Sequence, residues 1–227
     1  NPRDARGKGK FRVGFCVFTL SMILSDSMAR APYAAEQQKR GKQKSPDNKD
    51  QNVRESILMD FTKAQAFCLD HWEETLDLLK QLASIPAPSG QEGKRAAFIL
   101  DWLKQQGKND AYIDQMQNVV IPFDRPGEKD TVVIMAHTDI VFPDEGPIPV
   151  REEAGRLMAP GIGDDTANLV LMLMSVKYLL TYPHQARVKV LFVANSCEEG
   201  LGNLKGCREI MRVHGENVRE FISYDGT

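Results

Sequence analysis

Several histidine and acidic residues of this 227-residue chain stand at the ends of apolar segments, where their side chains are placed to bind metal ions. Imidazole and carboxylate groups are common ligands of Zn²⁺. Two metal ions about 3.5–4 Å apart form a recurrent hydrolytic centre, and the pattern predicts most of such a site. The residues concerned are His137, Asp139, Asp164, Asp165, Glu198, Glu199 and Asp225.

His137 and Asp139 follow a continuous apolar run that begins at Thr131. A β-strand places residues i and i+2 on the same face, so the strand predicted here presents both side chains together. We predict that this pair holds and orients a metal ion.

Asp164 and Asp165 follow a glycine-rich turn and directly precede a strongly apolar helical pattern. Glycines in the turn allow the backbone to approach closely, and a carboxylate at this point is well placed to bridge two cations. One histidine or one acid at such a position is more often structural. The order of all these motifs along the chain is what favours a shared site.

Glu198 and Glu199 follow a second apolar run over 188–195, and Asp225 ends a third, shorter run. Both runs have the pattern of buried strands that deliver acids into loops. One of the adjacent glutamates can bind metal while its neighbour transfers protons.

Apolar periodicity predicts helices that alternate with strands. Helices are predicted over 61–83, 92–106 and 167–181, and strands over 118–123, 131–137 and 188–195. This alternation predicts an α/β fold, a three-layer sandwich with a central, largely parallel sheet. Ligands of such sheets lie at the carboxyl ends of the strands, which is where the acids are. Residues 140–160, rich in proline and acid, are predicted as an exposed loop.

The sequence resembles the dinuclear-zinc exopeptidases and deacylases, a family that includes peptidase T, the aminoacylases and the glutamate-releasing carboxypeptidases. The resemblance extends from about residue 61 to the end of the chain, and its motifs occur in the family's order. The matching stretches are 84–90, 136–139, 161–165 and 198–200.

The resemblance implies a role for each residue of the predicted centre. The implied metal ligands are His137 and Asp225 on one zinc ion, Glu199 on the other, and Asp164 as the bridge between them. By the same resemblance Glu198 is the general base and Asp139 orients His137. The family also has a cis peptide link after its bridging aspartate, which here is the bond to Asp165.

The implied activity is metal-dependent hydrolysis of an amide bond near the end of a small peptide or an N-acyl amino acid. A water activated by two zinc ions per active site would attack the amide, and Mn²⁺ or Co²⁺ would fit the same ligands. The resemblance does not separate exopeptidase from deacylase activity.

Two features of the family are not found in the sequence: a later histidine that completes the second zinc site, and an inserted dimerisation domain. The resemblance therefore implies a catalytic domain that is incomplete at its C-terminus, and a homodimer in the full-length protein. The alternative interpretation is a truncated, non-catalytic homologue that acts as a metal-binding or interaction module.

Residues 1–58 carry 12 Lys and Arg against 6 Asp and Glu, whereas the remainder carries 17 against 25. We interpret 1–58 as a disordered basic extension or signal-like segment and 59–227 as the catalytic domain. A basic start followed by a short apolar run imitates a secretory signal within residues 1–30. The other interpretation, which we favour, is that translation starts at Met59.

Composition also bears on partners and location. The net charge of −2, without a basic surface run studded with aromatics, argues against nucleic acid as a partner. No apolar run reaches the roughly 18–20 residues that span a membrane. The four cysteines show no paired spacing, which favours a reducing compartment and a cytoplasmic protein, or a secreted one if the signal is genuine.

Overall fold

The computed structural model describes residues 62–143, 146–182 and 188–226. The interpretations of residues 1–58 and of a start at Met59 lie outside these ranges. The chain divides into two compact units, Asn1–Trp72 and Glu73–Thr227. In the first unit the described residues form a helix, α1, over 62–70. A turn at His71 separates α1 from the next helix, so the single helix predicted over 61–83 is two helices.

The second unit is built on seven strands and four helices within the described ranges. The strands are β1 Tyr112–Ile113, β2 Val119–Phe123, β3 Thr131–His137, β4 Arg151–Glu153, β5 Arg156–Met158, β6 Lys189–Asn195 and β7 Val218–Tyr224. The helices are α2 Trp72–Ser84, which starts at the last residue of the first unit, α3 Gly93–Gln105, α4 Ala167–Thr181 and α5 Lys205–His214.

Five strands form the central sheet in the order β1-β2-β6-β3-β7. β3 runs parallel to both β6 and β7, whereas β2 pairs antiparallel with β6 and β1 antiparallel with β2. The sheet is therefore mixed, and its parallel part carries the predicted metal ligands. Every residue of β3 is buried, as expected for a central strand covered on both faces.

Helices cover the sheet on both sides, which confirms the predicted α/β sandwich. On one face, Ile210 of α5 packs into a buried cluster with Val133 of β3 and Val193 of β6. α4 contacts β3 and β6 on the other face, and its bounds are those predicted. Nine of its fifteen residues are buried, since apolar side chains surround this helix on nearly all sides.

The predicted loop over 140–160 contains an unpredicted hairpin of β4 and β5. Its two-residue turn, Ala154 and Gly155, has positive φ values of 49° and 70°, the conformation that closes tight hairpins. The strands are three residues long and mostly exposed, so no alternation of apolar and polar residues announces them.

None of the helices in the described ranges is long and apolar enough to cross a lipid bilayer. Cys68, Cys197 and Cys207 carry free thiols. Cys16 lies outside the described residues.

Candidate metal centre

The parallel strands β3, β6 and β7 bring three of the predicted groups to one edge of the sheet. His137, the last residue of β3, is in register with Asn195, the last residue of β6. On the other side, Ala136 is in register with Tyr224 of β7. Parallel neighbours end on the same edge, so the loop after β6 and Asp225 after β7 both adjoin His137.

The fourth group arrives on a π-helical turn, Ile162–Thr166, that leads into α4. Gly161 precedes the turn with a φ of 66°, and a Cβ there would lie 2.2 Å from Ile140 Cγ2, so a larger residue would be strained in this position. The peptide bond between Asp164 and Asp165 is cis, as the resemblance implied.

Three of the predicted ligands converge. One ligand atom from each of His137, Asp164 and Glu199 lies within 4.8 Å of the other two. Nε2 of His137 is 3.2 Å from Asp164 Oδ1 and 3.8 Å from Asp225 Oδ1. His137 is buried, whereas the side chains of Asp164 and Asp225 are 54% and 58% exposed. The cluster is thus anchored in the sheet and open to solvent on one side.

Asp139 contacts the His137 ring at its Nδ1 atom. Its Nδ1 lies 3.0 Å from the backbone carbonyl of Asp139 and 3.5 Å from that residue's carboxylate. An Nδ1–H that donates to the carbonyl leaves Nε2 free as a ligand, which is how metal-binding histidines are usually oriented. In this structure the nearer partner of the ring is the carbonyl.

The Asp139 carboxylate itself is fully buried and holds the loop that carries the two glutamates. It accepts hydrogen bonds from the Ser89 hydroxyl at 2.6 Å and from the backbone N–H groups of Glu198 at 3.0 Å and Glu199 at 2.9 Å. Burial alone would raise its pKa, but the hydrogen bonds from His137, Ser89 and this loop lower it below its ordinary value. Asp139 therefore remains an anion that fixes two segments of the centre.

Asp165 points away from the cluster and is fully buried. Its carboxylate accepts the backbone N–H of His137 at 3.1 Å and the Asn168 side-chain amide at 2.6 Å. Burial raises the pKa of Asp165 to about 7, against the opposing charge of His137. Of the two adjacent aspartates, Asp164 faces the cluster and Asp165 secures the turn to β3.

The charge of the cluster favours a bound cation. Burial lowers the pKa of His137, but the surrounding carboxylates of Asp139, Asp165 and Asp164 outweigh that effect and raise it to about 9. Burial and the neighbouring acids raise the pKa of both Glu198 and Glu199. Several acids thus lie close together in the cluster, with the imidazole of His137 as their counter-charge. This donor set fits a divalent metal ion.

The raised pKa of His137 leads to a prediction about metal binding. Without metal, His137 is protonated below about pH 9, and a metal ion takes the neutral imidazole. Affinity for Zn²⁺ should therefore rise with pH up to about 9, with the release of about one proton per chain from this residue. Calorimetry in buffers of different ionisation enthalpy measures the protons released.

His214 provides the control for that experiment, because it lies at the end of α5 outside the cluster and its pKa is lowered by burial. His214→Asn should leave the number of released protons unchanged. A Zn²⁺ affinity that does not change between pH 6.5 and 9 would contradict the assignment of His137 as a ligand.

Sequence reasoning gave no role to three residues that support the centre. Ser89 donates to Asp139, as described above. Glu92, fully buried at the start of α3, accepts the backbone N–H groups of Gly90 at 2.8 Å and Cys197 at 2.9 Å. Arg95, also fully buried, donates to the Thr138 carbonyl at 2.8 Å. Ser89 lies in a stretch that matched the family, whereas no local pattern marks Arg95 as part of a site.

The structure is thus an α/β sandwich with a histidine and carboxylates at the carboxyl edge of parallel strands, and this edge is a candidate metal site. Residues 133–225 match the model of the peptidase family M20/M25/M40. This match confirms the resemblance to the family of exopeptidases and deacylases over residues 133–225.

Individual relatives agree with that assignment. The chain is 36% identical to the LysW-lysine hydrolase of Deinococcus radiodurans over 140 residues, which cover 61% of this chain and 36% of that protein. It is 28% identical to the succinyl-diaminopimelate desuccinylase of Corynebacterium glutamicum over 148 residues, 65% of this chain and 40% of that protein. The chain thus spans well under half the length of these curated relatives.

Human carnosine dipeptidase 1 has a similar fold, with a TM-score of 0.55 and 17% sequence identity. The similarity covers 71% of this chain and 40% of the human chain. At that identity the comparison supports the fold alone, and it agrees with the sandwich described above.

Proposed function

We propose that the chain contributes the catalytic centre of a metal-dependent hydrolase that cleaves an amide bond near the end of small peptides or N-acyl amino acids. The observation that carries the proposal is the convergence of ligand atoms from His137, Asp164 and Glu199 within 4.8 Å. Glu198 stands beside this cluster on the same loop, which Asp139 fixes through two backbone hydrogen bonds.

Two metal ions would share the cluster. His137 and Asp225 would hold the first ion, Glu199 would hold the second, and Asp164 would bridge them. The 3.2 Å and 3.8 Å distances from His137 Nε2 to the two aspartates support the first set. Zinc suits a mixed set of imidazole and carboxylates, and Mn²⁺ and Co²⁺ suit it as well.

The metal ions, when bound, would act as Lewis acids that polarise the amide carbonyl and lower the pKa of water. Glu198 would take a proton from the attacking water and return it to the leaving amine. Its raised pKa brings it closer to the range in which a carboxylate both accepts and returns a proton. Asp139 would keep the His137 ring and the Glu198 backbone in fixed relation through its carbonyl and carboxylate.

The substrate class comes from the relatives. Their names describe a hydrolase of a lysine conjugate and a desuccinylase of an amino acid. Each of these substrates joins an amino acid to an acyl group, so a small peptide or an acylated amino acid is the proposed substrate. A homodimer of the full-length protein and a cytoplasmic location stay predictions from the sequence.

Metal removal and restoration test the proposal on the purified chain. We expect hydrolysis of members of a panel of dipeptides and N-acyl amino acids to stop in the presence of a chelator. Zn²⁺, Mn²⁺ or Co²⁺ should then restore it. Elemental analysis should find two metal ions per chain after reconstitution and removal of free metal.

The same experiment addresses the alternative interpretation. Two bound metal ions without hydrolysis of any substrate in the panel would contradict catalysis and support a metal-binding module. Hydrolysis that survives complete metal removal would contradict the metal centre itself.

A further inference from the structure

Arg95 is among the largest side chains that are completely buried in this protein. It belongs to α3, yet its guanidinium bonds to three other segments of the chain. Nε donates to the carbonyl of Ile85 at 2.8 Å, and Nη1 donates to the Thr138 carbonyl at 2.8 Å and to the Thr166 hydroxyl at 3.2 Å. One side chain thus connects the end of α2, the end of β3 and the start of α4.

Two of these segments carry the metal cluster. Thr138 stands between His137 and Asp139, and Thr166 follows Asp164 and Asp165. The guanidinium therefore spans from the backbone that positions the imidazole to the turn that positions the bridging carboxylate. It makes both contacts with no exposure to solvent.

The contacts of Arg95 extend to further parts of the centre. The Thr166 hydroxyl donates to the carbonyl of Gly161 at 2.8 Å, which closes the π-helical turn. Thr138 donates to the carbonyl of Asn195 through its backbone N–H at 2.7 Å and its hydroxyl at 2.9 Å. Arg95 is thus the hub of hydrogen bonds that join β3, β6 and the turn before α4.

A buried guanidinium usually contributes little to the stability of a fold. Burial lowers the pKa of Arg95 to about 10, although the charge of Asp139 opposes this shift. Nη2 has no hydrogen-bond partner within the described part of the chain. Since apolar residues of similar volume often stabilise such positions at least as well as a buried ion, simple packing does not account for an arginine here.

We propose that Arg95 is a positioning residue of the metal centre, whose guanidinium fixes the spacing between the His137 and Asp164 segments before any metal binds. This inference rests on the proposed function, because the metal centre is what Arg95 would position. The preorganisation itself is a property of the metal-free chain, so it can be measured whether or not the proposed reaction occurs.

Arg95→Met tests the proposal by replacing the guanidinium with an apolar side chain. Residues that orient metal ligands from outside the coordination sphere typically contribute about 10- to 100-fold to metal affinity. We expect a loss of Zn²⁺ affinity in that range, measured by competition with a chromogenic chelator. Arg95→Lys keeps the charge but lacks the planar fork that reaches two acceptors, so it should recover part of the affinity.

Hydrogen exchange of the metal-free protein separates positioning from general stability. In Arg95→Met we expect faster exchange at the backbone amides of 137–139 and 164–168, and no change in the β2–β6 core around Val120 and Val193. Lys177→Met is the matched control. It removes the ion pair between Lys177 of α4 and Glu74, and neither residue belongs to the cluster. It should change neither the exchange of these segments nor the Zn²⁺ affinity.

Thr166→Val provides a second variant in case Arg95→Met does not fold. It replaces the hydroxyl by a methyl group, which removes the contact with Arg95 and the hydrogen bond to the Gly161 carbonyl. It should lower the Zn²⁺ affinity in the wild-type background, and its effect should be smaller when it is combined with Arg95→Lys. Non-additivity of this kind is expected for residues that act through one contact.

Specific results would overturn the proposal. Arg95→Met with a lower melting temperature but unchanged Zn²⁺ affinity and unchanged exchange at 137–139 and 164–168 would show a purely structural role. Thr166→Val with wild-type affinity would have the same meaning. A wild-type chain that binds no metal would instead contradict the proposed function, while the exchange experiment would still report on Arg95.

Discussion

Glu198→Gln should retain both metal ions and lose most of its turnover. The substitution keeps the shape of the side chain but removes the carboxylate that accepts the proton, while His137, Asp164 and Glu199 stay in place. General acid–base groups typically contribute about 10²- to 10⁴-fold to the rate, and we expect kcat to fall by that factor. Glu198→Ala should behave in the same way, because the proposed ligands do not include Glu198.

Metal content and kinetics must be measured on the same preparation for this result to be informative. Glu209→Gln is the matched control, since Glu209 lies in α5 and pairs with Arg212 outside the cluster. It should keep both metal ions and full activity. A Glu198→Gln variant with turnover near that of the wild type would contradict the role of general base, and one that lost metal would make Glu198 a ligand.

The convergence of the candidate site residues could be predicted because it depends on local patterns that the fold aligns. The apolar runs that end at His137 and before Glu198 have the strand pattern, and parallel strands place such ends on one edge. Asp225 follows from the same rule. The register of β3 with β6 and β7 could not be derived from these patterns, because pairing depends on contacts across the whole sheet.

The supporting residues show where sequence reasoning fails. Arg95 meets Thr138 and Thr166, which are 43 and 71 positions away, and no short motif encodes such distances. A sign was nevertheless present in α3, whose buried face includes Arg95, Ala96 and Ile99. The apolar pattern of this helix in the sequence includes Ala97, and that assignment was wrong, because Ala97 is exposed and the buried face includes the charged Arg95 instead.

The different positions of Asp164 and Asp165 could be seen only in the structure. Two adjacent acids before a helix are equivalent in sequence, and without the family resemblance the pattern does not say which of them binds the metal. The structure distinguishes them by exposure, since Asp165 is buried against the His137 backbone whereas Asp164 is half exposed beside the imidazole. Buried and exposed carboxylates have different chemistry, because only an accessible one can approach an incoming cation.

Asp164→Ala should lose metal binding rather than catalysis alone. If Asp164 bridges the two ions, its removal takes a ligand from each of them, whereas Asp225→Ala removes a ligand from one. We therefore expect elemental analysis to find two ions per wild-type chain, about one in Asp225→Ala and close to none in Asp164→Ala after free metal is removed.

Loss of metal from Asp164→Ala cannot be attributed to unfolding if the metal-free variant melts like the metal-free wild type. That outcome is expected, because Asp164 is 54% exposed and its removal relieves the repulsion among the clustered acids. Added Zn²⁺ should raise the melting temperature of the wild type, since a ligand stabilises the state that binds it, and should leave that of Asp164→Ala unchanged. An Asp164→Ala variant that holds two ions would show that the bridge lies elsewhere, and Asp165 is buried too deeply to replace it.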